Sequence, residues 1–490
     1  MFTGEDTVSW EGRIDRIDDN RWRIPSDYMS GMRTDAIIYA DESMMQHIRS
    51  DNSPQQAANV ACLPGIVGDS MAMPDIHFGY GFPIGGVAAV DANEGSISPG
   101  GIGFDINCGV RLIKTDLTLD DIGGNLKGLV DKLYRNVPSG LGSKGLKRIG
   151  EKEITEILQN GSEWAVENGF GWEKDLEVTE ERGKMLSADP SFVSDKARKR
   201  GLSQLGSLGS GNHFLEVDVV DDVFDADVAK VFGLKEGQIT VTVHCGSRGC
   251  GHQIATDYLQ TMERYVKDNS VQLPDRQLAC APLSSRPGEE YFAAMSCGAN
   301  YAWANRQMIT HWIRESFEKV MNDSAENMGI DVVYDVAHNI AKMERHDVDG
   351  KKTDVLVHRK GATRAFCAGR QEVTQRYRSV GQPVIIPGDM STGTYVLVGM
   401  KGAMEQTFGS SCHGAGRQMS RKAAVASMDA TSIKADMARK DIYLRNGSDD
   451  ELVEEAPQAY KNVDSVVRIV CDAGLTDKVA RLKPVGVVKG

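Results

Sequence analysis

Long apolar segments are absent from the 490-residue sequence, since no hydrophobic run is long enough to cross a bilayer. The opening stretch Met1–Asp6 has neither the basic region nor the apolar stretch of a secretion signal. The nine cysteines are scattered and form no Cys-x-x-Cys pair. These absences predict a cytoplasmic protein whose thiols are reduced and free to act as ligands.

Familiar nucleotide-binding motifs are also missing. The chain has no Gly-x-x-x-x-Gly-Lys-Ser/Thr loop, no Gly-x-Gly-x-x-Gly after a strand, and no Lys-x-Asp-Gly motif of lysine-based nucleotidyltransferases. Any nucleotide chemistry must therefore use other groups. The net charge of −13 argues against nonspecific coating of nucleic acid, although it is compatible with a local basic groove.

Glycine is abundant, with 52 residues, and its distribution suggests the fold. From residue 63 to 115, short apolar runs alternate with glycine-rich turns, which predicts β-strands and tight loops. Residues 117 to about 205 are charged and predict mainly helices. The pattern as a whole favours an α+β fold in which a central β unit is decorated by helices.

Two potential metal ligands, Asp105 and Cys108, lie in the glycine-fenced stretch Gly100–Arg111. Glycine allows positive φ and a close approach of the backbone to a ligand, so the carboxylate and the thiolate can turn toward one point. A thiolate can bridge two metal ions, which a single imidazole nitrogen cannot do. Taken alone, the stretch is explained equally well by a buried cysteine beside an Asx turn.

Three histidines, His213, His244 and His338, each flank an apolar, strand-like run. One such histidine is more often a hydrogen-bonded structural residue than a ligand. Together with Asp105 and Cys108, however, they exceed the four ligands of a closed structural zinc site and fit two adjacent ions that share the cysteine. The donor types suit Zn, Mn, Fe or Co, and two neighbouring ions stabilise the attacking and leaving oxygens of phosphoryl transfer.

His413 differs from these, because it lies in the Cys412–Arg417 stretch just before a helix predicted over about 417–434. A helix N-terminus there would present N–H groups and a dipole to an anion. A neutral imidazole beside bound phosphates can act as a nucleophile. The structural alternative is a histidine that caps the start of the helix. A second polar cluster contains Asp75 and His77, which we expect to hydrogen-bond metal ligands.

Seven motifs, in the same order along the chain, closely resemble those of the RtcB family of RNA-splicing ligases: Pro74–His77, Gly103–Arg111, Gly211–His213, His244–Gly249, Asp335–Asn339, His358–Gly361 and Cys412–Arg417. The likeness extends from about residue 60 to the terminal Lys489-Gly490. It implies a single ligase domain over residues 1–490 with a β-sandwich-like core that carries the metal site and is surrounded by helices. It also implies an enzyme of tRNA splicing and RNA repair.

The reaction implied by the resemblance joins RNA ending in 2′,3′-cyclic phosphate or 3′-phosphate to RNA beginning with 5′-hydroxyl, with GTP as co-substrate and two Mn²⁺ ions. Asp105, Cys108 and His213 would hold one ion. Cys108, His244 and His338 would hold the other. His413 would attack the α-phosphate of GTP, and the resulting histidine–GMP would pass its nucleotide to the RNA 3′-phosphate as RNA-(3′)pp(5′)G.

The resemblance also implies a set of guanylate contacts. They are Asn212, His213, Phe214, Leu215, Glu216, His338, Asn339, Pro387, Gly388, Asp389, Met390, Thr394, His413, Gly414, Ala415, Gly416, Tyr460 and Lys489. Asp389 and Thr394 stand where serines are common in archaeal relatives. Thr394 keeps a hydroxyl, whereas Asp389 adds a negative charge that could accept hydrogen bonds from guanine.

The implied partners are RNA, GTP and an archease-type activator protein. Candidates for contacts with the RNA backbone are Arg248, Arg364, Arg417 and the basic run Lys196–Arg200; such a run is otherwise a solvated helix face. Two other readings of the residues remain open. One is a dinuclear metallo-phosphoesterase that needs neither His413 nor Lys489, and the other is a non-catalytic RNA-binding component whose metals only stabilise the fold.

Overall fold

The computed structural model describes residues 9–490, so the Met1–Asp6 stretch discussed above lies outside the described residues. The predicted α+β class is confirmed, because two large, mainly antiparallel sheets are surrounded by helices. Within residues 9–490, no helix combines the length and the apolar character that a membrane span requires.

The bounds of the elements are as follows, in chain order within the described residues. The strands are β1 (Asp15–Arg16), β2 (Arg21–Ile24), β3 (Ala36–Tyr39), β4 (Ile66–His77), β5 (Ile84–Asp91), β6 (Ser96–Ile97), β7 (Gly109–Thr118), β8 (Phe214–Val223), β9 (Gln238–Cys245), β10 (Ala281–Pro282), β11 (Asp331–Ala337), β12 (Asn339–Val348), β13 (Lys351–Lys360), β14 (Ala362–Arg364), β15 (Pro383–Pro387), β16 (Thr394–Gly399), β17 (Ser410–Cys412), β18 (Tyr443–Asn446) and β19 (Thr476–Lys489). The α-helices are α1 (Glu42–Ile48), α2 (Ser53–Val60), α3 (Leu119–Ile122), α4 (Leu126–Asn136), α5 (Glu151–Asn160), α6 (Ser162–Glu167), α7 (Glu173–Glu177), α8 (Asp195–Gly201), α9 (Ala226–Phe232), α10 (Arg248–Asp268), α11 (Arg286–Met321), α12 (Lys401–Gln406), α13 (Arg421–Ser427), α14 (Ala430–Arg439), α15 (Asp449–Glu454) and α16 (Val463–Asp472).

The first large sheet has the strand order β1-β2-β3-β4-β5-β13-β12. The second has the order β11-β7-β9-β8-β19-β16-β15, with β18 beside β19. In these two sheets only the β3–β4 and β18–β19 pairs are parallel. The long strand β19 pairs with β8, β16 and β18, so the second sheet is organised around it.

The helices largely follow the sequence pattern, and α3 to α8 occupy the segment predicted to be helical. The long helix α11 begins about twelve residues earlier than its aromatic pattern indicates, because Ser285 caps it by accepting a hydrogen bond from the Gly288 N–H. Its aromatic residues Tyr301, Trp303 and Phe317 are fully buried, as expected for core packing.

The prediction of a single helix over about 417–434 is wrong. The chain forms two short helices there, α13 and α14, separated at Met428 and Asp429. Ser420 caps α13 by accepting from the Ala423 N–H, and Asp429 caps α14 by accepting from the Ser432 N–H. Two good N-cap residues nine positions apart each begin a helix, which interrupts the continuous periodic pattern.

Candidate metal and nucleotide site

The predicted histidine and cysteine ligands lie at the starts or ends of four strands, at one end of the second sheet. β7 begins directly after Cys108 and β8 directly after His213, whereas His244 lies next to the end of β9 and His338 directly follows β11. Because β9 is antiparallel to β7 and β8, and β11 is antiparallel to β7, these strand starts and strand ends lie side by side. The topology therefore gathers residues that are far apart in the sequence.

One group of potential ligands consists of Asp105, Cys108 and His213. The His213 Nε2 atom lies 2.9 Å from the Asp105 Oδ2 atom and 3.4 Å from the Cys108 Sγ atom. The other ring nitrogen of His213, Nδ1, lies 2.9 Å from the Leu208 carbonyl oxygen, to which it can donate. Such a hydrogen bond fixes the tautomer that leaves Nε2 free to bind a metal.

The second group consists of Cys108, His244 and His338, all buried. The Cys108 Sγ atom lies 3.2 Å from the His244 Nε2 atom, which in turn lies 3.2 Å from the His338 Nε2 atom. Within each group the ligand atoms lie within 4.8 Å of one another, and Cys108 belongs to both groups. The structure thus brings together all five residues that the sequence suggested as metal ligands.

The pKa of His213 is raised well above its ordinary value, against the effect of burial, by Cys108, Cys245 and Asp105. Burial decides the protonation of Cys108, His244 and His338 in the absence of a cation. It lowers the pKa of His244 and of His338 well below the ordinary value, so both imidazoles are neutral and able to coordinate. Burial also raises the pKa of the Cys108 thiol to about 12. A thiolate at this position therefore needs a cation beside it, because metal binding displaces the thiol proton.

A fully buried arginine, Arg306 on helix α11, holds the ligand-bearing segments together. Its Nη1 donates to the carbonyl oxygens of Asn107 and Cys245, both at 2.8 Å. Its Nε and Nη2 donate to the Asp335 carboxylate at 2.8 and 2.9 Å. This one guanidinium joins the loop of Cys108, the end of β9 and strand β11, and sequence reasoning did not identify it.

His413 lies beside the metal-ligand groups, and its ring centroid is 4.8 Å from that of His338. Its Nδ1 lies 2.5 Å from the Oδ2 atom of the buried Asp75, which also accepts from the His413 backbone N–H at 2.9 Å. With the Nδ1 proton directed at Asp75, the lone pair is on Nε2. Gly416 lets the two segments approach, since a Cβ there would lie 2.3 Å from the Asp75 carbonyl oxygen.

Two sequence expectations for this region need correction. His413 does not precede a helix N-terminus, because it follows β17 and the next helix, α13, begins only at Arg421. Asp75 was expected to hydrogen-bond a metal ligand, but its carboxylate contacts His413. His77 directs its Nδ1 at the Asp75 carbonyl oxygen, 2.8 Å away. No local pattern could reveal the contact between Asp75 and His413, which are 338 positions apart.

Several predicted guanylate contacts lie where β8 and β19 pair, with Phe214 opposite Lys489 and Glu216 opposite Val487. Glu216 and Lys489 are both nearly inaccessible. Burial, followed by the neighbouring Asp218, raises the pKa of Glu216 well above its ordinary value, and burial lowers the pKa of Lys489. The two groups therefore interact with little solvent screening.

Two other predicted guanylate contacts, Thr394 and Asp389, differ in how many hydrogen bonds their side chains already form. The Thr394 hydroxyl is buried and has no hydrogen-bond partner among the described residues, as expected for a group that hydrogen-bonds a ligand. Asp389 uses both carboxylate oxygens in its own turn, accepting from the Ser391 N–H and hydroxyl at 2.8 Å and from the Thr392 hydroxyl at 3.0 Å. These three hydrogen bonds leave acceptor capacity on the carboxylate, so a guanine contact of Asp389 stays a prediction.

Glu455, which sequence reasoning missed, lies at the centre of a charged cluster that includes the predicted guanylate contact Tyr460. Its inaccessible carboxylate accepts from the Arg417 Nη1 at 3.1 Å, from the Arg421 Nε at 3.0 Å and from the Tyr460 hydroxyl. The Arg417 guanidinium also lies 5.2 Å from the centre of the Tyr460 ring. Glu455 thus fixes the orientation of a predicted nucleotide contact and of two cations.

The arginines proposed from the sequence as RNA contacts differ in accessibility. Arg364 is buried and paired with Glu180 and Glu181, so it is not available to RNA. Arg248 is partly exposed, and Arg417 is largely committed to Glu455. The basic run lies on helix α8, where Lys199 is among the exposed residues.

Two groups of potential ligands that share one thiol, with a hydrogen-bonded imidazole beside them, form a candidate metal site of the kind found in metal-dependent enzymes. Comparison with known proteins then gives the family. The family described as tRNA-splicing ligase RtcB matches residues 56–490. The chain belongs to this family, and the resemblance noted in its motifs is confirmed.

Three relatives are similar to this chain over nearly their whole length. A protein of Thermococcus kodakarensis named tRNA-splicing ligase RtcB is 56% identical over 477 residues, which is 97% of this chain and 99% of the relative. A protein of the same name from Archaeoglobus fulgidus is 55% identical to this chain over 483 residues, which is 99% of this chain and 100% of the relative. A more distant relative of the same name, from Nanoarchaeum equitans, is 46% identical over 479 residues, 98% of this chain and 99% of its own.

Proposed function

We propose that this member of the RtcB family is an RNA ligase of tRNA splicing and RNA repair that works through a histidine–GMP intermediate. Family membership and the names of the full-length relatives support the ligase class. The observation that carries the mechanism is the pairing of the His413 Nδ1 with Asp75, which leaves Nε2 as a free nucleophile beside the metal-ligand groups.

Two Mn²⁺ ions are the proposed cofactors. Asp105, Cys108 and His213 would hold one, and Cys108, His244 and His338 the other. The Nε2 atoms of His244 and His338 lie 3.2 Å apart, so both can direct a lone pair at one cation when each ring carries its proton on Nδ1. The donors also suit Zn, Fe or Co, so manganese rests on the family resemblance. When bound, such ions neutralise phosphate charge and polarise the phosphoryl oxygens.

In the first proposed step, the His413 Nε2 attacks the α-phosphorus of GTP. A P–N bond forms, the bond to the β-phosphate oxygen breaks, and pyrophosphate leaves. The ring then carries positive charge, which the Asp75 carboxylate at Nδ1 stabilises. Asp75 also holds the ring in the tautomer that can attack, as the carboxylate partner of a catalytic histidine does in other enzymes.

In the next proposed step, an oxygen of the RNA 3′-phosphate attacks the phosphorus of histidine–GMP. The P–N bond breaks, His413 is regenerated, and RNA-(3′)pp(5′)G forms. The 5′-hydroxyl of the second RNA strand then attacks the 3′-phosphate phosphorus, GMP leaves, and the hydroxyl proton passes to solvent. A 2′,3′-cyclic phosphate would first be opened by hydrolysis to a 3′-phosphate.

The guanylate is proposed to bind in the pocket between Lys489 and Tyr460, with Glu216 and Thr394 among its contacts. The unpartnered Thr394 hydroxyl and the solvent-excluded Glu216 and Lys489 support this placement. A purine ring fits beside the Tyr460 ring because aromatic surfaces stack. GTP as the nucleotide follows from the family resemblance.

The remaining proposals concern partners and context. RNA and GTP are the substrates, and an archease-type protein is the proposed activator. A cytoplasmic location is proposed because all nine cysteines are free thiols. We also propose that residues 1–490 act as a single ligase domain, since the ligand strands, the Asp75 segment and the β19 end all contribute to one site.

The proposed function is tested with GTP labelled at the α-phosphate, Mn²⁺ and two oligoribonucleotides bearing 3′-phosphate and 5′-hydroxyl ends. We expect an acid-labile covalent adduct on the protein and GTP-dependent sealing of the two strands. Release of inorganic phosphate from the RNA end, with no adduct and no sealing, would instead identify a metallo-phosphoesterase. Binding of RNA without either reaction would identify a non-catalytic component.

The Glu455 cluster provides a further prediction. Glu455→Gln keeps the size of the side chain but removes the charge that orients Tyr460 and Arg417, so GTP binding should weaken by about 10- to 100-fold, the range for losing a charged hydrogen-bond partner. Isothermal titration measures the dissociation constant.

A matched control is available in the preceding residue. Glu454 pairs with the same Arg421 at 3.6 Å, but its side chain is 38% exposed, so Glu454→Gln should change GTP binding less than about fivefold. Equal effects of the two substitutions, at equal melting temperatures, would remove the orienting role from Glu455.

A further inference from the structure

Three aromatic rings next to the metal-ligand groups have no part in the mechanism above. Phe104 and His252 are stacked, with ring centroids 5.0 Å apart and planes inclined by 25°. Tyr80 contacts Phe104 edge to face, with ring centroids 5.5 Å apart. His252 is exposed, and Phe104 and Tyr80 are partly exposed, so this aromatic row of Tyr80, Phe104 and His252 reaches the surface, although Phe104 also packs against the core.

The aromatic row is attached to one end of the metal site. Phe104 immediately precedes Asp105 in the chain. His252 lies in the second turn of helix α10, whose N-cap residue, Ser247, donates its backbone N–H to the Asp105 Oδ1 atom at 2.9 Å. Both stacked rings are therefore held in a fixed relation to the Asp105 carboxylate.

Cations border the same surface. Arg200, at the exposed end of α8, donates to the Gln253 side chain at 3.2 Å, next to His252 in the sequence. Arg248, at the start of α10, is partly exposed and donates to the Ser143 hydroxyl at 3.0 Å. Exposed aromatic rings flanked by arginines are the features by which proteins bind single-stranded nucleic acid, through base stacking and phosphate contacts.

A series of contacts through the ligand groups relates the aromatic row to His413. His413 lies against His338, His338 against His244, and Cys108 links His244 to the group of His213 and Asp105. The aromatic row is attached at Asp105, the last member of this series counted from His413. In the proposed last step the 5′-hydroxyl attacks in line, from the side opposite the leaving GMP, and the GMP is delivered at the His413 end.

We infer that the row of Tyr80, Phe104 and His252 is a stacking site for the unpaired terminal nucleobase of the 5′-hydroxyl RNA strand. The inference rests on the proposed function for the direction of attack. A base held there would position its 5′-hydroxyl near Asp105 and the metal-ligand groups. Because every base has an aromatic face, the site would accept ends of different sequence.

The test compares His252→Ala and His252→Phe with the unaltered protein, using 5′-hydroxyl strands whose first nucleotide is intact or abasic. His252→Ala should raise the KM for the intact strand by about 5- to 100-fold, the range for losing one stacked base. The abasic strand should bind equally weakly to all three proteins. His252→Phe should retain the tight binding, because it keeps the ring but not the imidazole nitrogens.

A direct binding readout separates this inference from the proposed function. A 2-aminopurine at the first position should lose fluorescence on binding to the unaltered protein and to His252→Phe, but not to His252→Ala. The inference is refuted if His252→Ala weakens the binding of intact and abasic strands alike, or if His252→Phe behaves as His252→Ala. It is also refuted if the loss of binding appears only when the abasic nucleotide is in the 3′-phosphate strand. Absence of the GMP adduct in the unaltered protein, with fluorescence quenching retained, refutes the ligase mechanism and not the stacking site.

Discussion

His413→Ala is expected to abolish the covalent GMP adduct and RNA sealing, with a fall in the guanylylation rate of about 10⁴-fold or more, as is typical when a nucleophile is deleted. The residue is not in either ligand group, so the metal content should stay unchanged. Adduct formation with labelled GTP and elemental analysis of the same preparation measure the two quantities.

The control for this substitution is His311→Ala. His311 lies on helix α11, pairs with Glu315 and packs against Phe170 and Trp312, so its loss removes an imidazole that has no proposed role in the reaction. The adduct should form normally in that variant. An undiminished adduct in His413→Ala would assign the nucleophile to another residue and contradict the mechanism.

Cys108→Ala is expected to abolish binding of at least one of the two ions and, with it, RNA sealing. The Sγ atom is the one ligand common to both groups, so its removal leaves each group with two ligands. A site with two protein ligands binds a divalent ion far more weakly than a site with three. Metal stoichiometry after dialysis, measured by elemental analysis, should fall from two ions to one or none.

Cys250→Ala serves as the matched control, because Cys250 is also a fully buried free thiol whose pKa burial raises to about 12, yet it belongs to neither ligand group. Its loss should leave the stoichiometry at two. Full metal occupancy in Cys108→Ala would refute the bridging role of the thiolate.

The residues that converge in the two candidate metal-ligand groups could be selected from the sequence because each has a local signature. Cys108 lies in a glycine-fenced loop, and His213, His244 and His338 flank strands whose apolar runs are evident. Residues at the starts and ends of adjacent antiparallel strands lie side by side, so their side chains converge at that end of the sheet. The α+β class followed from the same alternation of glycine-rich strands and charged helices.

The supporting residues could not be predicted in this way. Arg306 is 199 positions from the Asn107 carbonyl that it binds, and within its helix it is one of many buried residues. Glu455 follows another glutamate of similar surroundings in the sequence, and only the fold separates the buried carboxylate from the exposed one. Such roles depend on pairings between distant segments, which composition and spacing do not encode.

The central position of β19 bears on how the protein is made. The strand spans residues 476–489, pairs with three others and carries Lys489, a proposed guanylate contact. The second sheet can therefore close only after the ribosome has synthesised β19, which follows the other strands of the described residues in the chain. Until then the nascent chain has its candidate metal ligands but lacks Lys489. The open edges of β8 and β16 are liable to pair with other chains, as exposed strand edges do.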